Sequence, residues 1–214
     1  MMKVPIMMAY FKLAQIDPSV LNIEFTYLAS PEMGNDVENI PPTHLLTVGK
    51  PYTTDELIRA MIVDSDNNAM HILATHIDQG VLDRTLVDLG IVIPTSNRQY
   101  NFVTAQSFAN IFRNLYNASY LDRAFSQKAL ELLQQSSYKP LSKHLPPEVV
   151  VASKFGERIV RKTDGSLQTV QLHECGIVYA HDPYSICIMT EGSDLTTLAS
   201  VIADTSKAIY TELK

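Results

Sequence analysis

Residues 53–77 read TTDELIRAMIVDSDNNAMHILATHI, two helix patterns separated by a short polar break. Thr53, with Glu56 three positions later, forms a capping box, which predicts that a helix begins here. Its apolar residues, and those of a second helix predicted to end at Gly80, recur at helical spacing (Leu57, Ile58, Met61 and Ile62, then Ala69, Met70, Leu73 and Ile77). The break at residues 64–68 is therefore a corner between two helices, where a serine hydroxyl can point into a cleft.

The segment before this corner begins with a helix pattern from Lys3 to about Ala14 that is apolar around the whole circumference. A helix of that kind is buried on all sides. Pro18 ends it, because the residue before a proline is pushed out of the α region. Residues 22–28 alternate like a short strand, and residues 29–43 are predicted to form a loop.

The remainder of the chain divides into helices and then strands. Helices are predicted over residues 81–89, 104–117 and 121–136. Strands follow at residues 149–153, 168–179 and 184–190, and an amphipathic helix at 195–213 can cover them. The prediction is one α+β domain over residues 1–214, with a mainly helical lobe at 1–145 and a three-stranded antiparallel meander plus C-terminal helix at 146–214.

Composition excludes several classes of protein. The chain has 214 residues, 46% of them apolar and 19% charged, which is enough to bury one core. Its 17 Lys and Arg against 23 Asp and Glu give a net charge of −6, the wrong sign for a protein that neutralises phosphates, so a nucleic-acid partner is disfavoured. No apolar run approaches the roughly 18 residues of a membrane span, and the N-terminus lacks the pattern of a signal peptide.

Three polar features of the sequence are candidate site residues. Ser65-Asp66-Asn67 lies at the helix corner, although its ordinary explanation is an N-cap for the next helix. Lys154 follows the strand at 149–153 and precedes Gly156 by two residues, so it can present an ammonium to an anion, or else simply protect a strand edge. Lys3 heads the apolar helix, where lost solvation favours a neutral amine that accepts protons, unless the side chain reaches solvent.

In this order, the three features resemble the class A β-lactamase family of penicillin-recognising serine enzymes, whose motifs are S-x-x-K, S-D-N and K-T-G. The stretch Val103-Thr104-Ala105 that opens a helix, and the hairpin followed by a C-terminal helix, also fall where the family has them. The resemblance covers nearly the whole chain. It implies a β-lactamase/transpeptidase-like fold without its first strands.

The resemblance also implies a role for each matching residue in acyl transfer, in which a serine attacks a strained amide and water releases the acyl-enzyme. Lys3 would activate the nucleophile, and Ser65 would relay a proton to the leaving nitrogen. Asn67 would bind the substrate's side-chain carbonyl, Lys154 would bind its carboxylate, and Gly156 would keep the strand open for substrate pairing. The implied substrates are β-lactams or D-alanyl cell-wall peptides, and no cofactor or metal is expected.

The sequence departs from the family pattern at the position of the nucleophile. The serine of S-x-x-K would stand directly before Met1, so we expect a chain truncated just after that serine and inactive as written. An alternative is a lineage that has lost the serine.

Two further departures concern the substrate. Phe155 replaces the hydroxyl residue of K-T-G, so carboxylate recognition would rest on Lys154, or on Ser153 if it faces the cleft. Residues 91–104 contain no Asp or Glu, whereas the family carries there the glutamate that activates the deacylating water. Deacylation is therefore expected to be slow even with a serine present, which favours a penicillin-binding or peptidase-like protein over an efficient antibiotic-destroying enzyme.

The family's sheet has five strands, two of them from segments upstream of the serine. The strand from Tyr184 to Thr190 would then lie at an open edge, which predicts self-association through that edge or pairing with another chain. The implied location is extracytoplasmic, because the family's targets are cell-wall peptides and their mimics.

The other candidate residues give weak signals. Cys175 and Cys187 flank a turn nearly symmetrically, but a disulfide between adjacent strands is strained, so free thiols are expected. His71 and His76 are five residues apart on a helix and face different ways, which argues against a metal site. The alternative function is a non-catalytic, penicillin-binding-like binding or assembly module, which Phe155 and the missing glutamate would both permit.

Overall fold

A computed structural model describes residues 2–29, 39–91, 103–161 and 167–213 of the chain. Over these ranges it contains helices α1 Lys3–Ala14, α2 Thr54–Arg59, α3 Asn67–His76, α4 Gln79–Asp88, α5 Ala105–Tyr116, α6 Arg123–Gln134 and α7 Leu195–Glu212. The strands are β1 Glu24–Thr26, β2 Pro51–Thr53, β3 Val150–Arg161, β4 Leu167–Tyr179 and β5 Tyr184–Gly192. The predicted α+β class, a helical lobe followed by a meander and a C-terminal helix, is confirmed.

Two antiparallel sheets organise these strands. β1 pairs with β2 in a small ribbon, and the larger sheet has the order β3-β4-β5. β3 is much longer than the predicted strand at 149–153, so Lys154 lies in the middle of a strand and not at its end. The second half of β3 is only partly buried, so its hydrophobic pattern is weak and the sequence did not predict it. Backbone pairing with β4, which includes Ile159 and Val160, keeps this half in the strand conformation.

The larger sheet separates two hydrophobic cores. Alternate residues of the strands face the helical lobe, for example Ala152 and Ile177, and join the core formed by α1 to α6. The intervening residues, such as Val151 and Val178, pack against Ile202 of α7. This alternation follows from the two-residue period of a strand.

Helix α1 lies at the centre of the lobe, as its apolar circumference predicts. Every residue from Lys3 to Phe11 is buried. The buried set includes the ammonium-bearing Lys3, which is only 6% exposed. A lysine in such a place must find polar partners inside the protein.

The predicted capping box at the start of α2 is confirmed, since Thr53 and Glu56 exchange both capping hydrogen bonds. The predicted end of the second helix at Gly80 is wrong. α3 ends at His76, Ile77 is extended, and Asp78 caps the new helix α4 by accepting a hydrogen bond from the Val81 amide at 3.1 Å. Gly80 therefore stands in the first turn of α4, because local capping by the aspartate overrides the breaker signal of the glycine.

The expectation of free thiols is also wrong. β4 and β5 place Cys175 and Cys187 directly opposite each other, with Cα atoms 4.0 Å apart, and the two form a disulfide. The two cysteines lie on the two strands of one hairpin, and their nearly symmetric spacing about the turn gives the register that brings them together.

Within the described ranges, no helix is long and apolar enough to cross a membrane. The described part of loop 29–43 includes residues 29 and 39–43, while residues 30–38 lie outside the described residues.

Gly176 allows β4 to approach β3 closely. A Cβ at this position would lie 2.5 Å from the Ala152 carbonyl oxygen and 2.7 Å from the Ser153 Cβ. We predict that Gly176→Ala lowers the free energy of unfolding by about 3 kcal/mol, because backbone cannot yield as a side chain can. Gly192→Ala is the control, since its nearest neighbour is the Leu198 side chain at 3.2 Å. Urea denaturation of both variants checks this, and equal stabilities would contradict it.

Candidate active site

Lys3 and Ser65 meet where the N-terminus of α1 reaches the corner between α2 and α3. Lys3 Nζ donates to Ser65 Oγ at 2.9 Å and to the Ser65 backbone carbonyl. Both residues are nearly buried, at 6% and 4% exposure. Although they are 62 positions apart in the sequence, the fold brings this amine and this hydroxyl into one site.

Ser65 has an unusual backbone conformation. Its φ is 62°, in the left-handed region that few residues other than glycine adopt. It follows a wider π-helical turn, Ala60–Asp64, and the Asp66 amide closes that turn on the Ala60 carbonyl at 3.1 Å. Such strain persists only where the surrounding structure imposes it, and it is concentrated at functional sites.

The residues of the Ser-Asp-Asn motif have different roles: the middle residue caps a helix, and the two outer residues line a cavity. Asp66 is the N-cap of α3 and accepts from the amides of Asn68 at 2.7 Å and Ala69 at 3.0 Å. The capping explanation is thus correct for Asp66. Ser65 and Asn67, on either side of it, both line a cavity.

This cavity has a volume of about 450 Å³ and lies between the helical lobe and β3. Of the residues predicted for the site, Lys3, Ser65, Asn67 and Gly156 line it. Its other described walls are formed by Met2, Met70, Val103, Phe108, Phe155, Glu157, Arg158, Gln171, His173 and Met189.

Lys154 and Ser153 are not among the described lining residues. Lys154 is 1% exposed, and its Nζ lies 4.3 Å from the centre of the Phe155 ring. Ser153 is fully buried and donates to Glu174 Oε1 at 2.5 Å. The condition set for Ser153, that it face the cleft, is not met, because its hydroxyl is buried against Glu174.

Glu174 is a buried carboxyl group that sequence analysis missed. It is 0% exposed and also accepts from the Leu141 amide at 2.8 Å. Burial raises the pKa of Glu174 to about 7, although the hydrogen bonds from Ser153 and Leu141 and the positive charge of Lys154 act in the opposite direction. The signal that could have identified Glu174 is a single acidic residue among the apolar residues of the strand predicted at 168–179.

His173 and Arg158 also lie in the cavity wall and were missed. His173 stands opposite Gly156 in the sheet, and its Nδ1 accepts from the Thr190 amide at 3.2 Å. Burial lowers the pKa of His173, which favours the neutral ring. With Nδ1 as acceptor, the proton of that neutral ring is on Nε2, so His173 can act as a hydrogen-bond donor.

Glu157 is the one carboxylate among the described lining residues, and it is engaged elsewhere. Its Oε1 accepts from the Ile40 amide at 3.0 Å, and its Oε2 accepts from Asn39 Nδ2 at 3.3 Å. The cavity wall is consequently richer in donors than in available carboxylates, which suits a ligand with several acceptor oxygens.

Of the acid-free stretch 91–104, residues 92–102 lie outside the described residues. Across the described ranges, no group of three or more His, Cys, Asp and Glu side chains is arranged to hold a metal ion.

Comparison with known proteins identifies relatives of this arrangement. A sequence model of the Beta-lactamase enzyme family (Beta-lactamase2) matches residues 1–213. Among solved structures, a beta-lactamase from Chitinophaga pinensis DSM 2588 is similar, with a TM-score of 0.78 and 17% identity over 99% of this chain and 83% of that one. A class A beta-lactamase representative from Bacteroides cellulosilyticus DSM 14838 has a TM-score of 0.76 and 19% identity, covering 99% and 81%.

The structure of PBP-A is similar as well, with a TM-score of 0.76 and 16% identity over 99% of this chain and 79% of that chain. A mutant of PBP-A forms an acyl-enzyme complex with penicillin G. The comparison with curated proteins gives no match. Identities this low support the fold alone, whereas the family model covers nearly the whole sequence and confirms the resemblance stated above.

The raised pKa of Glu174 predicts how stability depends on pH. Because the unfolded carboxyl ionises near 4.5 and the folded one near 7, the stabilisation from the protonated form is present at low pH and is lost as pH rises from 4.5 to 7. We predict that the free energy of unfolding of Glu174→Gln, relative to the unmodified chain, rises by about 3 kcal/mol over this interval.

Urea denaturation at several pH values measures this difference. Parallel stability curves for the two proteins would show that Glu174 titrates in the folded protein as it does in the unfolded one.

Proposed function

Because the chain belongs to the beta-lactamase enzyme family, we propose that its cavity performs serine acyl transfer on β-lactam amides. The family and the fold support a serine β-lactamase-type hydrolase. The observation that carries the proposal is the 2.9 Å contact between Lys3 Nζ and Ser65 Oγ at the wall of the cavity. An amine and a hydroxyl in hydrogen-bond contact form a path for a proton between nucleophile and leaving group.

Each residue has a defined task in this proposal. Lys3 accepts the proton of the attacking serine when its amine is neutral, and Ser65 passes a proton to the departing nitrogen. Asn67, which lines the cavity beside Ser65, donates its amide to the substrate's side-chain carbonyl. Gly156 leaves the edge of β3 clear, so that an extended substrate can pair with its backbone.

Lys154 acts on the substrate carboxylate through its charge in this proposal. Its burial at 1% exposure and its absence from the described cavity wall argue against direct contact in this state. A positive charge in a water-poor environment still attracts an anion over several ångströms, because screening there is weak. Phe155 adds only an apolar surface.

The family motif S-x-x-K would place the nucleophile of this proposal three residues before Lys3. It would stand one helical turn before Lys3, and residues three apart on a helix share a face. Residues 1–214 alone would then bind substrate without forming an acyl-enzyme. D-alanyl cell-wall peptides are proposed as further substrates, and an extracytoplasmic location follows from such targets.

A second candidate is a non-catalytic, penicillin-binding-like binding or assembly module, which keeps the cleft but has lost turnover. Two observations favour it: Phe155 replaces a hydroxyl residue, and residues 91–104 contain no acid to activate the deacylating water. Such a module would bind penicillin reversibly and form no covalent adduct.

We predict that a chain with one serine placed directly before Met1 gains the mass of one intact penicillin G molecule. Acylation opens the lactam ring and releases nothing, so the whole mass of the drug is retained. Lys3→Met and Ser65→Ala in this chain should slow adduct formation by about 100-fold or more, since each removes a proton-transfer group. Time-resolved intact mass spectrometry provides the measurement.

The matched controls are an alanine placed before Met1 and the variant Lys12→Met in the serine-bearing chain. Lys12 is on the same helix, but its Nζ donates to the Tyr120 carbonyl and lies outside the described cavity wall. An adduct on the alanine-bearing chain, or none on the serine-bearing chain at saturating drug, would reject acyl transfer. In the second case, binding detected by calorimetry would favour the binding module.

We also propose that the chain associates with itself through β5. This strand pairs with β4 on one side, and within the described sheet no strand lies on its other side. Unpaired backbone groups along a nine-residue edge can pair with a second chain.

Sedimentation velocity over a concentration series should show a monomer–dimer equilibrium. Ser185→Lys, at an exposed position of β5, should weaken dimerisation by about tenfold or more because edge charges oppose strand pairing. Thr211→Lys on α7 is the matched control and should leave it unchanged. A monomer at every concentration would contradict the proposal.

A further inference from the structure

We propose that Asp64 is a positioning residue, whose carboxylate fixes the strained backbone of Ser65 by holding a strap of chain against the corner between α2 and α3. The strap consists of residues 39–44, and its other end is bound by Glu157 of β3. Acyl transfer as described above assigns no task to Asp64. The effect on catalysis rests on the proposed function, whereas the effect on the corner can be measured without it.

The carboxylate of Asp64 is bound by the end of the strap. Asp64 directly precedes Ser65 and is only 9% exposed, so its carboxylate needs hydrogen-bond donors from the protein. Thr43 Oγ1 donates to Asp64 Oδ1, and His44 Nδ1 lies 2.8 Å from the same oxygen. Because an ionised carboxylate only accepts hydrogen bonds, the Nδ1 atom of His44 carries the proton.

The other end of the strap is bound to β3. Glu157 Oε1 accepts from the Ile40 amide at 3.0 Å, and Glu157 Oε2 accepts from Asn39 Nδ2 at 3.3 Å. The Ile40 side chain packs against the core between the sheet and α7, and Pro42 in the middle of the strap is buried. The strap therefore connects a carboxylate of the helical lobe to a carboxylate of β3.

Each of these carboxylates stands next to a residue of the proposed site. Asp64 is followed by Ser65, and Glu157 follows Gly156, whose backbone is left clear for substrate. Ser65 and Gly156 lie on the two walls of one cavity. No residue of the strap is among the described lining residues, so the strap joins the two walls without occupying the space for substrate.

The backbone of Ser65 needs this support because its left-handed conformation, with a φ of 62°, is unfavourable for a serine. Asp66 holds the corner from the other side, since its carboxylate caps α3 and its amide closes the π-helical turn on the Ala60 carbonyl at 3.1 Å. Ser65 thus lies between two anchored aspartates. Once Asp64 is released, Ser65 can relax, and its hydroxyl then leaves the position 2.9 Å from Lys3 Nζ.

The first experiment measures hydrogen exchange of the Asp66 amide by NMR in the chain without ligand. Asp64→Ala should speed this exchange about tenfold, because the strap no longer holds the turn that the amide closes. The Ile77 amide, which donates to the Leu73 carbonyl just beyond α3, should exchange as before. Equal acceleration of both amides, or of neither, would overturn the proposal.

A second contact keeps the corner folded in these variants. The Ser137 amide donates to the Val63 carbonyl at 2.9 Å and does not involve the strap. The double variant Thr43→Val with His44→Ala removes the strap's donors at two exposed positions. It should speed exchange at Asp66 as much as Asp64→Ala does, and a normal rate in this variant would contradict the proposal.

Two control variants isolate the contact with the strap. Asp64→Asn keeps the oxygen that both strap residues approach, so exchange at Asp66 should rise by no more than about threefold. Asp204→Ala is the matched control, because Asp204 of α7 lies 2.8 Å from His144 Nδ1, the same kind of pair at another place. It should leave exchange at Asp66 unchanged.

A double-mutant cycle tests whether the two ends of the strap act together. Glu157→Ala releases the β3 end and should also speed exchange at Asp66. In the Asp64→Ala background it should add no more than about twofold, because a strap that is free at one end no longer holds the corner. Effects that multiply in full would mean that the two carboxylates act independently, and would overturn the strap.

The second experiment measures penicillin G acylation by the serine-bearing chain. Asp64→Ala should lower the limiting acylation rate about tenfold, because Ser65 is displaced from Lys3, and should change the apparent dissociation constant by no more than about twofold. Asp64→Asn should restore most of the rate. A higher dissociation constant at an unchanged rate would contradict a role in positioning Ser65.

The outcomes distinguish the strap from the proposed function. If no adduct forms on the serine-bearing chain but exchange at Asp66 responds as expected, acyl transfer is rejected and the strap is supported. If the adduct forms while Asp64→Ala changes neither exchange nor rate, the strap is rejected and acyl transfer is supported.

Discussion

The contact between Lys3 and Ser65 is the interaction on which the rest of the structure depends. An ammonium at the head of a helix buried on every side has little access to bulk water, so it must be satisfied by polar groups of the protein. Ser65 supplies both its hydroxyl and its carbonyl, and it does so from a left-handed backbone conformation held by the turn before it and the cap after it. The lobe thus pairs a buried amine with a hydroxyl at the wall of the cavity.

Helical periodicity and capping carried most of the fold prediction, because they act over a few residues. The circumference of α1, the capping box at Thr53 and the Asp66 cap are all local patterns, and the motif Ser65-Asp66-Asn67 lies between them. Local patterns also explain an error. Gly80 suggested the end of α3, but that helix had already ended at His76, and Asp78 had capped the start of α4.

What the sequence analysis did not reveal depends on how the strands of the meander pair. The length of β3, the direction of Ser153, the Cys175–Cys187 bond and the position of His173 behind Gly156 all follow from the register of β3, β4 and β5. A shift of one residue would exchange the two faces of each strand, and the residue patterns considered above did not establish the register of β3 with β4. Glu174 was missed for the same reason, since its importance lies in partners on other elements.

The central claim is that an amine and a hydroxyl 62 residues apart form one proton path at the cavity. A crystal structure of the serine-bearing chain after exposure to penicillin G tests it most directly. The account predicts an ester on the added serine, with Lys3 Nζ and Ser65 Oγ still about 2.9 Å apart and Asn67 against the acyl group. An intact drug molecule outside this cavity, or Lys3 turned away from Ser65 beyond hydrogen-bond distance, would contradict it.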